Sequence, residues 1–299
     1  MMDRRARVAC AQVEPAIFDR DATLDKLADV AAEVARNGAE LVLFPETFVP
    51  AYPSSRWVRA LAAGDGNGKE VWARLARASL TIPSAETERL GAIAREHSLI
   101  LAVGVNELDR ATLYNTLLLF GSDGELVLRH RKLMPTNHER LVWGIGDGGG
   151  LTTIETGIGR VGGLICWENF MPLARAALYE SGLDVYIAPT ADDSESWHDS
   201  IRHIARESRA FVLSCCVYQR ASSYPKDVPI AEGPDLLGRG GSAVVGPNGE
   251  YLVGPLWDEE GILYAELDPD LLFAERQRFD AAGHYSRPDV LRLQVTPIR

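Results

Sequence analysis

The chain has 299 residues, 46% hydrophobic and 24% charged, with a formal net charge of −11 at pH 7. This apolar content supports a sizeable core and excludes a disordered chain, and the negative charge argues against general binding to nucleic-acid phosphates or an anionic membrane surface. No window approaches the ~20 apolar residues of a membrane span and no run near the N-terminus has the length of a signal peptide, so a soluble, cytoplasmic protein is expected.

Arg7–Glu14 (RVACAQVE) reads as an opening strand. A helix is predicted from about Asp21 to Asn37, where Leu24, Leu27, Ala31 and Val34 share one face and Asn37-Gly38 is a stop signal. Glu40–Glu46 (ELVLFPE) is a short, nearly continuous apolar run, as in a strand buried on both faces. Tyr52 to Gly68 reads as a long loop or irregular helix, Ser84 caps a helix ending near His97, and Leu99–Val105 is another buried strand. YNTLLLF and ELVLRHRK flank a turn at residues 121–124, and SAVVGPNGEYLVG forms a second hairpin about Pro247-Asn248-Gly249, a weak internal echo of the first. Strands are predicted at Gly159–Ile165, Asp184–Thr190, Phe211–Tyr218 and Gly261–Asp268. Helices are predicted at Phe170–Ser181, at Ser194–Arg209 with Trp197, Ile201, Ile204 and Ala205 inward, and after Asp268-Pro269. Alternating strands and helices, interleaved hairpins and the lack of a linker or low-complexity tract describe one α/β domain over residues 1–299 with mixed sheets.

Cys10, Cys215 and Cys216 lie in apolar runs without the spacing of a zinc or redox motif, and read as reduced buried thiols. The remaining cysteine differs. In GGLICWENFMPLAR an apolar strand turns abruptly into Cys166-Trp167-Glu168-Asn169. LVLFPE ends likewise in Glu46, and LVLRHRK in Lys132. Ligands bind beyond strand ends in open α/β sheets, and a thiol, an ammonium and a carboxylate brought together there make a working set. The lysine would favour the thiolate and stabilise an anionic intermediate, and the carboxylate would take and return a proton. Taken singly, each of the three has an ordinary structural reading.

FPETFVPAYP, HRKLMPTNHERLVWGIGDG and GRVGGLICWENFMPLAR, in that order, resemble the three signature blocks of the nitrilase superfamily. The likeness continues through RVACAQVEPA, WHDSIRHIARESRAFVLS, GGSAVVGPNGEYLVGP and GHYSRPDVLRL, nearly the whole chain. The resemblance implies an α/β fold, a four-layer αββα sandwich with two mixed β-sheets, carrying a Glu-Lys-Cys triad. Glu46 would be the general base, Lys132 the cation, Cys166 the nucleophile, and Glu139 a second glutamate that positions the lysine and substrate. Cys-Trp-Glu-Asn with Met171-Pro172, and the His-Glu-Arg-Leu-Val-Trp-Gly run after Lys132, resemble the true nitrilase branch, where the amidase branches carry Tyr-Asp or similar. The implied reaction is hydrolysis of a small-molecule nitrile by water to acid and ammonia, with no cofactor and no metal. An amidase or a cyanide-hydrolysing enzyme of the same superfamily is the near alternative, and a non-catalytic scaffold the remote one. By the same likeness a homodimer or larger homo-oligomer is expected, with the last ~25 residues as a contact tail.

Tyr52, Trp143, Trp167, Thr190, Trp197 and His198 are the candidate substrate-binding residues, each with a packing or turn role as its ordinary alternative. A metal reading fails on spacing: His198 and His203, five apart, fall on different helix faces, while His203 and Glu207 share a face but make only one pair. The glycine-rich run at residues 144–150 lacks a phosphate-loop fingerprint and reads as a flexible loop at the site. Arg202, Arg206 and Arg209 read as a solvated face or subunit contact.

Overall fold

The apolar runs are strands with both faces covered. In the computed structural model, which describes residues 2–62 and 67–297, side chains alternate strictly between two hydrophobic layers. In β1 (Ala6–Gln12), Val8 and Cys10 point one way while Ala9 and Ala11 point the other. In β8 (Val185–Thr190), Val185 and Ile187 oppose Tyr186 and Ala188. A strand with a period of two and no polar face needs a partner layer on each side.

The first sheet runs in the order β13-β1-β2-β3-β4-β5, with β2 Leu41–Leu43, β3 Ile100–Asp109, β4 Thr112–Phe120, β5 Leu126–Arg131 and β13 Gly261–Leu267. The second runs β10-β11-β9-β8-β7-β6, with β12 paired to β11; its strands are β6 Ile154–Thr156, β7 Gly159–Gly163, β9 Phe211–Cys216, β10 Tyr218–Arg220, β11 Leu236–Val245 and β12 Tyr251–Trp257. Val8, Leu43, Ala102, Leu119 and Leu128 of the first sheet meet Val161, Ile187, Leu213 and Val244 of the second in one shared core. Helices α1 (Arg20–Arg36) and α4 (Ala85–Glu96) cover the outer face of the first sheet. Helices α5 (Pro172–Glu180) and α6 (Glu195–Ser208) cover the outer face of the second. The layers are helix, sheet, sheet, helix, as the resemblance implies; α7 (Pro269–Arg276) follows β13.

The two hairpins echo each other because the sheets do. β1, β2 and β3 are mutually parallel, with antiparallel β13 on one side and the β4–β5 hairpin on the other. β7, β8 and β9 are also parallel, with antiparallel β6 on one side and the β11–β12 hairpin on the other. Glu46 follows β2, Lys132 follows β5 and Cys166 follows β7, and these three strand ends converge.

Two expectations need correction. The segment Tyr52 to Gly68, read as a long loop or irregular helix, holds α2 (Ser55–Ala62) and runs into α3 (Asn67–Ala78), with residues 63–66 outside the described residues. These helices build a satellite core with Trp57, Val58, Val71 and Leu75 against Val142, Trp143 and Tyr224, contacts from distant segments that no local period announces. The glycine-rich run is seated rather than loose. Gly146 donates to the Lys132 carbonyl (2.8 Å), and Gly150 lies so close to His130 that a Cβ there would fall 2.5 Å from the histidine Cβ. The arginine stripe is largely a solvated face, as expected: Arg202 and Arg206 are exposed, while the less exposed Arg209 donates to Glu275 (2.7 Å).

Candidate active site

Each of the three strand-end residues is held by its own local device. Glu46 follows β2 on a tight loop laid over β3 at Gly104, where an added Cβ would sit 2.4 Å from Pro45 O and Thr47 N and 2.8 Å from the Glu46 Cα. Only glycine admits this approach. Gly104→Ala is expected to cost about 1–3 kcal/mol, the usual penalty of overpacking, and to displace Glu46. A urea midpoint and kcat measured on one preparation check both effects.

Lys132 directly follows β5, and its backbone N–H donates to Asn115 O on β4 (2.8 Å). Cys166 opens a 3-10 turn, Cys166–Phe170, between β7 and α5, with φ of 51°. A left-handed conformation costs a non-glycine residue roughly 1–2 kcal/mol. A strained strand-to-helix elbow is one way to present a nucleophile.

The three converge in the buried interior. Lys132 Nζ donates to Glu46 Oε1 (2.7 Å) and to both oxygens of Glu139 (3.0 and 2.8 Å), with Lys132 and Glu139 1% exposed and Glu46 fully enclosed. Glu139 also accepts from Tyr52 Oη (2.8 Å) and Thr136 N (2.6 Å). Glu46 accepts from Asn115 Nδ2 and from Ala191 N, both 2.7 Å. Ligating atoms of Glu46, Glu139 and Cys166 lie within 4.8 Å of one another. Such a trio offers donors to a cation, but the lysine ammonium bonded to both carboxylates already supplies positive charge there.

Burial governs the electrostatics. It is the largest influence raising Glu46 above the ordinary carboxylate value, helped by Glu139 and opposed by Lys132 and Asn115. Burial would lower Lys132, but Glu46, Cys166 and Glu139 outweigh it and hold the ammonium charged. Burial and the neighbouring Glu46 push the Cys166 thiol well above its usual value, against the pull of Lys132. Lys132 does favour the thiolate, as the sequence reading expects, but burial and the carboxylates outweigh it. Two carboxylates outnumber one ammonium in a desolvated site, so the resting sulfur keeps its proton and Glu46 is poised to accept it.

The carbon-nitrogen hydrolase family profile matches residues 7–277. The chain belongs to the carbon-nitrogen hydrolase family. An aliphatic nitrilase of Sinorhizobium fredii is 43% identical to it over 97% of this chain and 95% of its own. A bifunctional nitrilase/nitrile hydratase of Lupinus angustifolius is 41% identical over 97% and 85%. Among solved structures, a Saccharomyces cerevisiae member of branch 10 of the nitrilase superfamily matches with a TM-score of 0.74 at 23% identity, covering 96% of this chain and 98% of that one.

Around the triad of this hydrolase, the other candidates part ways. Thr190 is fully buried at the end of β8, where its hydroxyl accepts from Asp192 N (2.9 Å) and hydrogen-bonds Cys166. Tyr52 touches Glu139, and Trp143 lies behind Lys132, its ring 5.9 Å from Nζ and its indole N–H bonded to Asn106 Oδ1. Trp167 stands at the rim, half exposed, with its indole N–H on Asp192 (2.7 Å). Trp197 and His198 are placed elsewhere. Trp197 is fully enclosed in the core under α6, donating to Ser214 Oγ (2.9 Å). His198 packs on the β11–β12 hairpin, 2.9 Å from Tyr251 Oη with its ring 5.0 Å from that of Trp257. A helix start near the right sheet end points to the site only if its side chains face that way, and these two face the core and the hairpin. Asn115, Ala191 and Glu168, which the sequence reading gave no role in the site, contact the triad or the backbone beside it. Asn115 sits mid-strand in an apolar run (YNTLLLF), and that buried polar residue was the available signal.

Proposed function

We propose that this hydrolase is a nitrilase, converting an organic nitrile and water to the carboxylic acid and ammonia. The observation that carries it is the buried ammonium of Lys132 held by Glu46 and Glu139 beside the Cys166 thiol. The nitrilases among its relatives favour a nitrile over the amide or cyanide alternatives.

As Cys166 Sγ bonds to the nitrile carbon, its proton passes to Glu46 and on to the nitrogen, giving a thioimidate. Water adds, losing a proton to Glu46, which hands it to the nitrogen. In the tetrahedral intermediate beside Lys132 the hydroxyl proton passes by way of Glu46 to the amine, which leaves as ammonia as the thioester carbonyl forms. A second water, again deprotonated by Glu46, cleaves the thioester and returns the proton to sulfur. If the intermediate expels the thiol first, amide is released. This second outlet is favoured by one observation, the bifunctional nitrilase/nitrile hydratase among the relatives. Tyr52, Trp167 and Thr190 are the side chains proposed to meet the substrate.

Ammonia, acid and amide measured separately over a panel of aliphatic, arylacetic and aromatic nitriles and their amides test the reading. Turnover of amides alone overturns it. Glu46 accepts a proton only when ionised, and burial raises its pKa. Alkylation of Cys166 by iodoacetamide is therefore expected to persist at neutral pH and to slow as pH falls through a value above the ordinary carboxylate range. Glu46→Gln should abolish that acidic limb; an unchanged limb assigns it to another group.

Among the described residues no helix is long and apolar enough to cross a membrane. All four cysteines are unpaired and buried, which supports a reducing, cytoplasmic setting. Tyr285, Val290 and Leu291, 60 to 75% exposed in the C-terminal segment, support its reading as an oligomer contact.

A further inference from the structure

One buried carboxylate beside the triad touches none of the reacting groups. Glu168 is 1% exposed on the turn that begins with Cys166, yet its partners lie on both sheets. Oε2 accepts from Ile165 N (2.7 Å), one residue before Cys166. Oε1 accepts from Leu133 N, one residue after Lys132. The His130 ring, fully buried on β5, lies with Nε2 3.0 and 3.2 Å from the two oxygens. His130 shares the inward face of β5 with Leu128, two residues earlier, so the contact spans the gap between the sheets. Gly150 packs against its ring.

We infer that Glu168, braced by His130, is a positioning residue: it ties the backbone of Lys132 to that of Cys166, and this tie sets the partition of the tetrahedral intermediate between acid and amide. Burial opposes the charge on Glu168, but His130 and the two backbone N–H groups outweigh it, so the group is a carboxylate. Imidazole Nε2 is then the donor. Three donors drawn from both sides of the site converge on one anion, the arrangement that makes such a hydrogen bond strong.

The chemistry shows why the tie matters. Glu46 and Glu139 hold the Lys132 ammonium, whereas Thr190 is the side chain that hydrogen-bonds Cys166. With Glu168 removed, Lys132 keeps its carboxylates, but the sulfur is no longer held in register with them. Loss of ammonia breaks C–N after the nitrogen is protonated, whereas loss of amide breaks C–S and returns the proton to sulfur. A shift of about 1 Å between the two groups is worth on the order of 100-fold in rate and need not act equally on the two exits.

The inference rests on the nitrilase reading, and one experiment separates the two. Wild type, Glu168→Gln, His130→Ala and His130→Gln are assayed with one nitrile, measuring kcat, KM and the acid-to-amide ratio. The ratio does not depend on how much of a preparation is active, so a residue that only stabilises the fold would leave it unmoved. Glu168→Gln, which replaces one acceptor with a donor facing other donors, is expected to lower kcat by about 100-fold at similar KM and to raise the amide share several-fold. His130→Ala should shift the ratio in the same direction. His130→Gln, whose amide N–H can replace Nε2–H, should restore it. An unchanged ratio in Glu168→Gln overturns the inference. If that variant does not fold, an unchanged ratio in His130→Ala, or no restoration by glutamine, overturns it. A wild type that turns over no nitrile overturns the nitrilase reading instead; the tie is then decided by kcat at constant KM on an amide substrate.

Discussion

Cys166→Ala is expected to lose at least ~10⁴-fold in kcat on any nitrile or amide substrate while its circular dichroism matches the wild type. The fold should survive because alanine keeps the Cβ and removes only a buried sulfur. The same position tests a second physical claim. With φ of 51°, residue 166 carries left-handed strain in any residue with a Cβ. Cys166→Gly should therefore be equally inactive but about 1 kcal/mol more stable than Cys166→Ala in urea unfolding. Retained turnover in Cys166→Ala would remove the proposed nucleophile. Equal stability of alanine and glycine at this position would remove the strain argument and leave the chemistry standing.

Lys132→Met should be both inactive and markedly unstable, and the instability should depend on pH. The substitution replaces the ammonium with an apolar chain of similar length and leaves Glu46 and Glu139 facing each other without a cation. Breaking a buried ion pair by removing one partner costs roughly 3–5 kcal/mol. The sign follows from linkage. Without Lys132, Glu46 keeps the burial that raises it and loses the charge that opposes it, so its folded-state pKa lies further above the unfolded value. The folded variant then binds more protons than the unfolded chain between those two values. Its deficit relative to wild type is full above the raised pKa and shrinks as pH falls toward the unfolded carboxylate value near ~4.3. Urea unfolding of both proteins at several pH values between neutrality and 5 measures this. A deficit that is the same at every pH would mean that packing, not charge, explains the loss.

Much of the architecture was legible because it is written in short periods. The alternation of Val8, Ala9, Cys10 and Ala11, the helical face of Leu24, Leu27, Ala31 and Val34, and the caps at Ser84 and Asp268 are local patterns, and the elements they predict are present. α2 was legible only as a loop or irregular helix, and α3 not at all, because their apolar faces close on Leu113, Val142 and Tyr224, residues far along the chain. Trp197 and His198 were misplaced for the same reason: their position along α6 was right, but the direction they face is set by β9 and β12.

By itself the sequence determined which chemical groups stand at the strand ends, the order of the signature blocks and, through them, the family. Tertiary structure alone decided how those groups act on one another. Lys132 meets Glu46 across 86 residues of chain, and Leu133 meets Glu168 across 35. Whether the sulfur rests as thiol or thiolate is likewise a property of the assembled site, set by burial and by two carboxylates competing for one ammonium. Side-chain type is a property of single positions, whereas desolvation and Coulomb interaction depend on distances that exist only after the two sheets have closed on each other.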